Sequence, residues 1–264
     1  MKKYVISLLV SGILLAANAS ENGEAKTSSE THKKHESHAS WSYVGNNGPK
    51  FWGTINSSFQ TCENGERQSP INIAKEATVA TNSLGNLFFD YKDTDISIVN
   101  NGHTIQVNSD NQSSALFQGK KFKLLQFHFH SKSEHTVNGE YYPLELHLVH
   151  QAEDGELGVV GVFFKLGDYN SSLQKVLKFM PKDAGAKNAS DKFSINPNDF
   201  LPKDRGYYHY LGSLTTPPCT QIVEWYVMKN PITLSQKQLE QFQNLYNGNF
   251  RPTYPLNKRI VLEK

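Results

Sequence analysis

Residues 126 to 150, QFHFHSKSEHTVNGEYYPLELHLVH, constrain the fold more than any other stretch of the chain. They hold five of its ten histidines and contain Asn138-Gly139, a dipeptide that favours tight hairpin turns. Leu124 to His130 alternates apolar and polar residues. Successive side chains of an extended strand point to opposite faces, so Gln126, His128 and His130 share one face and Phe127 and Phe129 the other. A second strand is predicted over Leu144 to His150, with Glu145, His147 and Val149 on one face and Leu146, Leu148 and His150 on the other. If the two strands pair, three imidazoles converge on a rigid sheet. A lone H-x-H on a strand is often just a pair of half-buried polar residues. The third histidine, the polar partners nearby and the aromatic backing point instead to a metal site. Three neutral nitrogen ligands with no fourth protein ligand suit a catalytic zinc with an open position; a fourth ligand would make the site structural.

The rest of the chain divides by composition. Residues 1–19 read as a signal peptide, with Lys2 and Lys3 before an apolar run and an A-x-A site at Ala17-Asn18-Ala19, so cleavage is expected after Ala19. That run is too short, and interrupted at Ser11-Gly12, for a membrane anchor. Residues 20–40 are polar, without an aromatic, and cannot bury enough surface to offset the entropy of ordering them. They are expected to form a flexible tail, in which His32, His35 and His38 are solvated linker residues more readily than a metal site. Residues 41–264 bring aromatics and recurrent strand patterns at Ile96 to Asn101, His103 to Asn108, Lys123 to His130, Leu144 to His150, Leu157 to Lys165 and Ile222 to Met228. Helical pattern is confined to Ser171 to Lys178 and Ser235 to Asn244, the second with Ser235 as N-cap. Net charge is +2, with no basic patch or acidic run in this part, so neither nucleic acid nor a membrane surface is an expected partner. Cys62 and Cys219 are the two cysteines. An oxidising compartment would permit them to pair, and two free thiols are the alternative.

The motifs QFHFH, SEHTVNG and ELHLVH, followed by GSLTTPPCT, resemble those of the α-class carbonic anhydrases of the secreted bacterial type, and the likeness runs from about Trp41 to the C-terminus. The resemblance implies a predominantly β (α+β) fold, a central twisted and mostly antiparallel sheet of about ten strands with small peripheral helices. It implies reversible hydration of carbon dioxide to bicarbonate and a proton by a zinc-bound hydroxide, in a periplasmic or secreted protein. His128, His130 and His147 match the zinc ligands, and Gln126, Glu145 and the backbone carbonyl of Asn249 match the groups that fix His128, His147 and His130. Thr215 matches a gatekeeper hydroxyl that donates to a buried glutamate, here Glu134, while Thr216 lines the same cavity. His135 is expected to act structurally, with Tyr210. Val149, Val159, Leu214, Val223 and Trp225 match an apolar wall for carbon dioxide, although each is by itself simply a core residue. His103 matches a proton-shuttle histidine, and Tyr43, Asn101 and Gln106 match residues that order the water between it and zinc.

The resemblance also favours a Cys62–Cys219 bridge, tying the Cys62 segment to the loop that carries Thr215. Relatives often form homodimers, but no interface is legible. Gln106 stands where asparagine is common, Lys132 where proline is usual, and Thr253-Tyr254 where Val-Gln or Ala-Gln is usual; Lys132 is expected to loosen the turn beside Glu134. Two further readings compete. A non-catalytic binding module on the same fold would be expected to lack a ligand histidine, and a periplasmic zinc carrier using the histidine-rich tail would need neither gatekeeper nor shuttle.

Overall fold

The structure, a computed structural model, describes residues 40–264 apart from Asn111. The expected signal peptide and all but the last residue of the polar tail therefore lie outside the described residues. Ten strands follow one another in hydrogen-bonded order: Lys187–Ile195, Thr94–Asn100, Ile105–Asn108, Lys120–His130, Leu144–Ala152, Leu157–Leu166, Val223–Met228, Tyr207–Gly212, Leu262–Glu263 and Val79–Ala80. Phe88–Asp90, Ser114–Phe117 and Ile232–Leu234 pair alongside to make a thirteen-stranded sheet. Its pairings are antiparallel except where Leu157–Leu166 meets Val223–Met228 and Ile232–Leu234, and where Leu262–Glu263 meets Val79–Ala80.

Alternation along the strands builds a different core on each face of the sheet. Phe127, Phe129, Leu146 and Leu148 are fully buried in the larger core, under the Ser171–Phe179 and Gln236–Gln243 helices, which contribute Leu173, Val176, Leu239 and Phe242. The opposite face carries Val159, Tyr210, Val223, Trp225 and Val227. Ser235 caps the second helix in a full capping box with Gln238, its side chain accepting from the Gln238 N–H while the Gln238 side chain accepts from the cap backbone.

Each strand expected from sequence is present, with ends shifted by no more than three residues. Lys187–Ile195 and Tyr207–Gly212 are not expected from sequence: the first is an edge strand of mostly exposed polar residues and carries no clean alternation. Asn138 and Gly139 both have positive φ, 51° and 84°, as a primed two-residue turn requires. That turn joins Thr136–Val137 to Glu140–Tyr141 in a separate three-stranded sheet with Asn72–Ile73, rather than closing the two histidine strands on each other directly.

Candidate metal centre

Lys120–His130 and Leu144–Ala152 pair antiparallel, with His128 opposite His147 and His130 opposite Glu145. This register turns two alternating sequence patterns into one cluster. The ring centroids stand 5.0 Å apart for His128 and His130, 5.4 Å for His128 and His147, and 4.6 Å for His130 and His147. One nitrogen from each of the three rings lies within 4.8 Å of the others.

The other nitrogen of each ring is tied to an acceptor. His128 Nδ1 is 2.9 Å from Gln126 Oε1, His130 Nδ1 is 2.7 Å from the carbonyl of Asn249, and His147 Nε2 is 2.9 Å from Glu145 Oε1. An acceptor can only be met by an N–H, so these contacts fix the tautomers and leave His128 Nε2, His130 Nε2 and His147 Nδ1 as lone-pair donors. Burial, together with the neighbouring imidazoles, pushes the pKa values of His128 and His130 down, so both rings are neutral at neutral pH. His130 Nε2 is buried and has no hydrogen-bond partner. An orphaned buried nitrogen beside two matching ones is what a metal ion would satisfy, and three imidazoles suit zinc.

Glu145 is the hub of this arrangement. Its Oε1 accepts from His147 and, at 2.7 Å, from His135 Nδ1; its Oε2 accepts from the backbone N–H groups of Glu134 and His135. Burial alone would raise its pKa, but His135 and His147 hold the carboxyl well below the usual carboxylate range. His135 Nε2 in turn meets Tyr210 Oη at 2.7 Å, the structural role expected for it. Gly161, opposite His147, leaves the room Glu145 needs: a Cβ there would sit 3.0 Å from Glu145 Oε1.

A profile described as "Eukaryotic-type carbonic anhydrase" matches residues 47–264. The chain belongs to the eukaryotic-type, or α, carbonic anhydrase family. A carbonic anhydrase of Klebsiella pneumoniae is 43% identical over 226 residues, covering 84% of this chain and 90% of its own. The α-carbonic anhydrase of Thermovibrio ammonificans, solved in complex with the inhibitor sulfanilamide, is 44% identical with a TM-score of 0.82, over 85% of this chain and 99% of its own. A dioscorin solved with ascorbate also shares the fold, at 33% identity and TM-score 0.79, over 85% of this chain and 97% of its own. The carbonic anhydrases are lyases, and this chain is an enzyme of that family.

The remaining candidates fall around the histidines with two departures from expectation. Val149, Val159, Leu214, Val223 and Trp225 pack in one apolar cluster, and the Trp225 ring centroid lies 4.9 Å from that of His147, so this cluster borders the three histidines. Gln106 pairs with His128 across the strands, and its amide donates to Asn108 Oδ1. Tyr43 stays protonated, because burial and the nearby charge of Glu134 raise its pKa well above 10. His103 is half-buried and stacks on Trp41, with centroids 3.7 Å apart and planes within 7°. Burial lowers its pKa from 6.5. The sequence reading misses Trp41 as a site residue, because a tryptophan 62 positions away gives no local signal of the stack.

Asn101 is the first departure. Its side-chain oxygen accepts from the N–H groups of His103 and Thr104, so it caps the turn that presents His103 and that oxygen is not free to order water. The second departure concerns the gatekeeper. Thr215 is buried, but its hydroxyl does not bond Glu134. Glu134 Oε1 takes the backbone N–H of Arg251 at 2.8 Å, while Oε2 stands 3.5 Å from His130 Nε2 and 3.8 Å from His147 Nδ1 without a hydrogen bond. Thr216 is half-buried in the same loop, its carbonyl accepting from Cys219 N–H. The Lys132 ammonium sits 5.6 Å over the Tyr141 ring. Cys62 and Cys219 form a disulfide with Cα atoms 5.0 Å apart, spanning 157 residues. Among the described residues no helix is long and apolar enough to cross a membrane.

Proposed function

We propose that the chain holds zinc through His128, His130 and His147 and hydrates carbon dioxide to bicarbonate and a proton. The observation that carries this is the tautomer-fixed triad, three imidazole nitrogens aimed at one point with every outer nitrogen committed to an acceptor. Bound zinc would supply Lewis acidity that lets a water ionise near neutral pH, behaviour for which carbonic anhydrases are themselves the standing example.

The chain's own residues do the rest. Gln126, Glu145 and the Asn249 carbonyl hold the three rings in their ligating tautomer. The wall of Val149, Val159, Leu214, Val223 and Trp225 offers apolar carbon dioxide a dry surface beside the site, and Thr216 lines the same cavity and contacts product. Thr215 and Glu134, which are not bonded to each other in this structure, would act as a pair once the hydroxyl turns to the carboxylate: a carboxylate can only accept, so a donating Thr215 keeps its lone pairs for a donor on the reacting side. His103 takes up the released proton and passes it to solvent, with Tyr43 and Gln106 ordering the intervening water. A shuttle must both take up and release a proton; partial burial lowers the His103 pKa from 6.5, which favours release of the proton it takes up. The protein acts after export and signal-peptide removal, a reading supported by the disulfide, which persists in oxidising compartments.

Stopped-flow carbon dioxide hydration by the zinc-loaded protein, beside His103→Ala and across buffer concentrations, tests both parts. Fast turnover in the wild type, with a slowed variant that imidazole rescues, is the expected result. Equal rates would remove His103 from proton transfer, and a zinc-bound protein without hydration would return the chain to the binding-module reading.

A further inference from the structure

Arg251 is fully buried, yet it forms no ion pair among the described residues. Its guanidinium donates through Nη1 to Gln68 Oε1 and the Ser69 carbonyl and through Nη2 to the Cys62 carbonyl, each at 2.8 Å and all neutral oxygens, while the buried Nε meets no acceptor. The ring of Tyr254 lies 4.0 Å from its central carbon, and the Tyr254 hydroxyl donates to the same Cys62 carbonyl at 3.3 Å. Burying a guanidinium without a carboxylate is costly, and burial pulls its pKa down. Such a group persists where its geometry is needed.

Gln68, itself buried, completes a circuit. While its oxygen accepts from Arg251, its amide donates to the Cys219 carbonyl at 3.1 Å. The disulfide then returns from Cys219 to Cys62, whose carbonyl accepts from Arg251. Two of the hydrogen bonds that leave this ring lead to the two halves of the gatekeeper. Cys219 N–H donates to the carbonyl of Thr216, next to Thr215, at 2.9 Å, and Arg251 N–H donates to Glu134 Oε1 at 2.8 Å. Cys219 has φ of 58°, a left-handed conformation that a non-glycine residue keeps only when its surroundings over-determine it.

We propose that Gln68 and Arg251 are positioning residues, closing with the Cys62–Cys219 bridge a ring from which Thr215 and Glu134 are both suspended. The proposal rests on the function proposed above for that pair. The ring fixes the distance between two groups on loops far apart in sequence; cutting either arm leaves them tied by the other alone and loosens the pair, while the zinc ligands, held by other contacts, stay in place.

The test uses zinc-loaded Gln68→Met, of similar volume but unable to bridge, alone and combined with Cys62→Ser/Cys219→Ser. Zinc per chain, kcat, KM and amide hydrogen exchange are measured for each. The expected outcome for Gln68→Met is a full zinc complement, little change in KM, and a kcat lowered on the order of tenfold, with faster exchange at the Cys219 and Arg251 amides. Because cutting one arm of the ring leaves Cys219 and Arg251 tied by the other, the combined variant, which severs both, should lose more kcat than its parents' losses multiplied together. A kcat within twofold of wild type, or a combined loss no greater than that product, would overturn the proposal; should the cysteine variant not fold, the kcat and exchange of Gln68→Met decide alone. A wild type that binds zinc without hydrating carbon dioxide overturns the function instead, and the ring is then judged by exchange.

Discussion

His150 lies on the same strand as His147, and the face each occupies separates their fates. His147 points into the site, whereas His150 points into the larger core. There it is fully buried, with Nε2 2.7 Å from Tyr91 Oη and Nδ1 3.1 Å from the Gly158 carbonyl. Burial lowers its pKa to about 4, against the modest upward pull of the carbonyls of Gly158 and Leu148. An unfolded histidine titrates near 6.5, so the folded pKa is depressed, and the unfolded chain takes up the proton first as pH falls. The stability that His150 contributes is therefore complete above pH 6.5 and is lost between about pH 6.5 and 4, to a total of about 3 kcal/mol. In urea titrations across that window, His150→Gln should flatten the dependence by up to about 1.4 kcal/mol per pH unit. An unchanged slope would show that other groups carry the acid sensitivity. Alternation made the side of the sheet that His150 faces legible from sequence, but not its tyrosine partner, which lies 59 positions away.

At the scale of the strand, spacing put His128 and His130 on one face and gave His147 a second strand; that these strands pair, with His128 opposite His147, is decided by the fold. What spacing did not show is how tightly the neighbouring strand must fit. Gly161, in Leu157–Leu166, reads as a weak point in an apolar strand, yet it faces the Glu145 carboxylate with no spare room. Gly161→Ala should therefore displace Glu145 by a few tenths of an ångström and loosen its hold on His147. A chelator competition should show zinc affinity falling on the order of tenfold, the usual result of disturbing a ligand's hydrogen-bond partner. Thermal stability should change little, since alanine restricts the unfolded chain more than glycine does. Unaltered zinc affinity would mean that Glu145 has slack in this structure. The Asn138-Gly139 turn is the converse case: its local chemistry is legible in the sequence, but the strands it joins belong to the small sheet.

Across the whole molecule, the disulfide connects segments 157 residues apart, and the chain-entropy estimate for closing a loop of that length is about 5 kcal/mol, an upper figure. Cys62→Ser/Cys219→Ser should lower unfolding free energy in urea by several kcal/mol, up to about that amount. A loss below about 1 kcal/mol would show that the hydrogen bonds of Arg251 and Gln68 hold the two segments without the bridge. The same long-range ties explain the departures in the C-terminal segment. Tyr254 reads in sequence as a replacement of the usual residue; in the fold it covers Arg251 and bonds the Cys62 carbonyl.

By itself the sequence determined what is periodic or local: the strand faces, the histidine spacing that permits three imidazoles to converge, the helix cap at Ser235, and the motifs that resemble one family. These follow from neighbours along the chain, where side-chain direction repeats every two residues in a strand. Only the tertiary structure decided which groups answer those residues from afar. Trp41 against His103, Gly161 against Glu145, and Arg251 with Gln68 behind the Thr215 loop are contacts between segments well separated along the chain. Their partners are chosen by packing and by the need of each buried polar group for a hydrogen bond, and neither requirement leaves a local pattern to read.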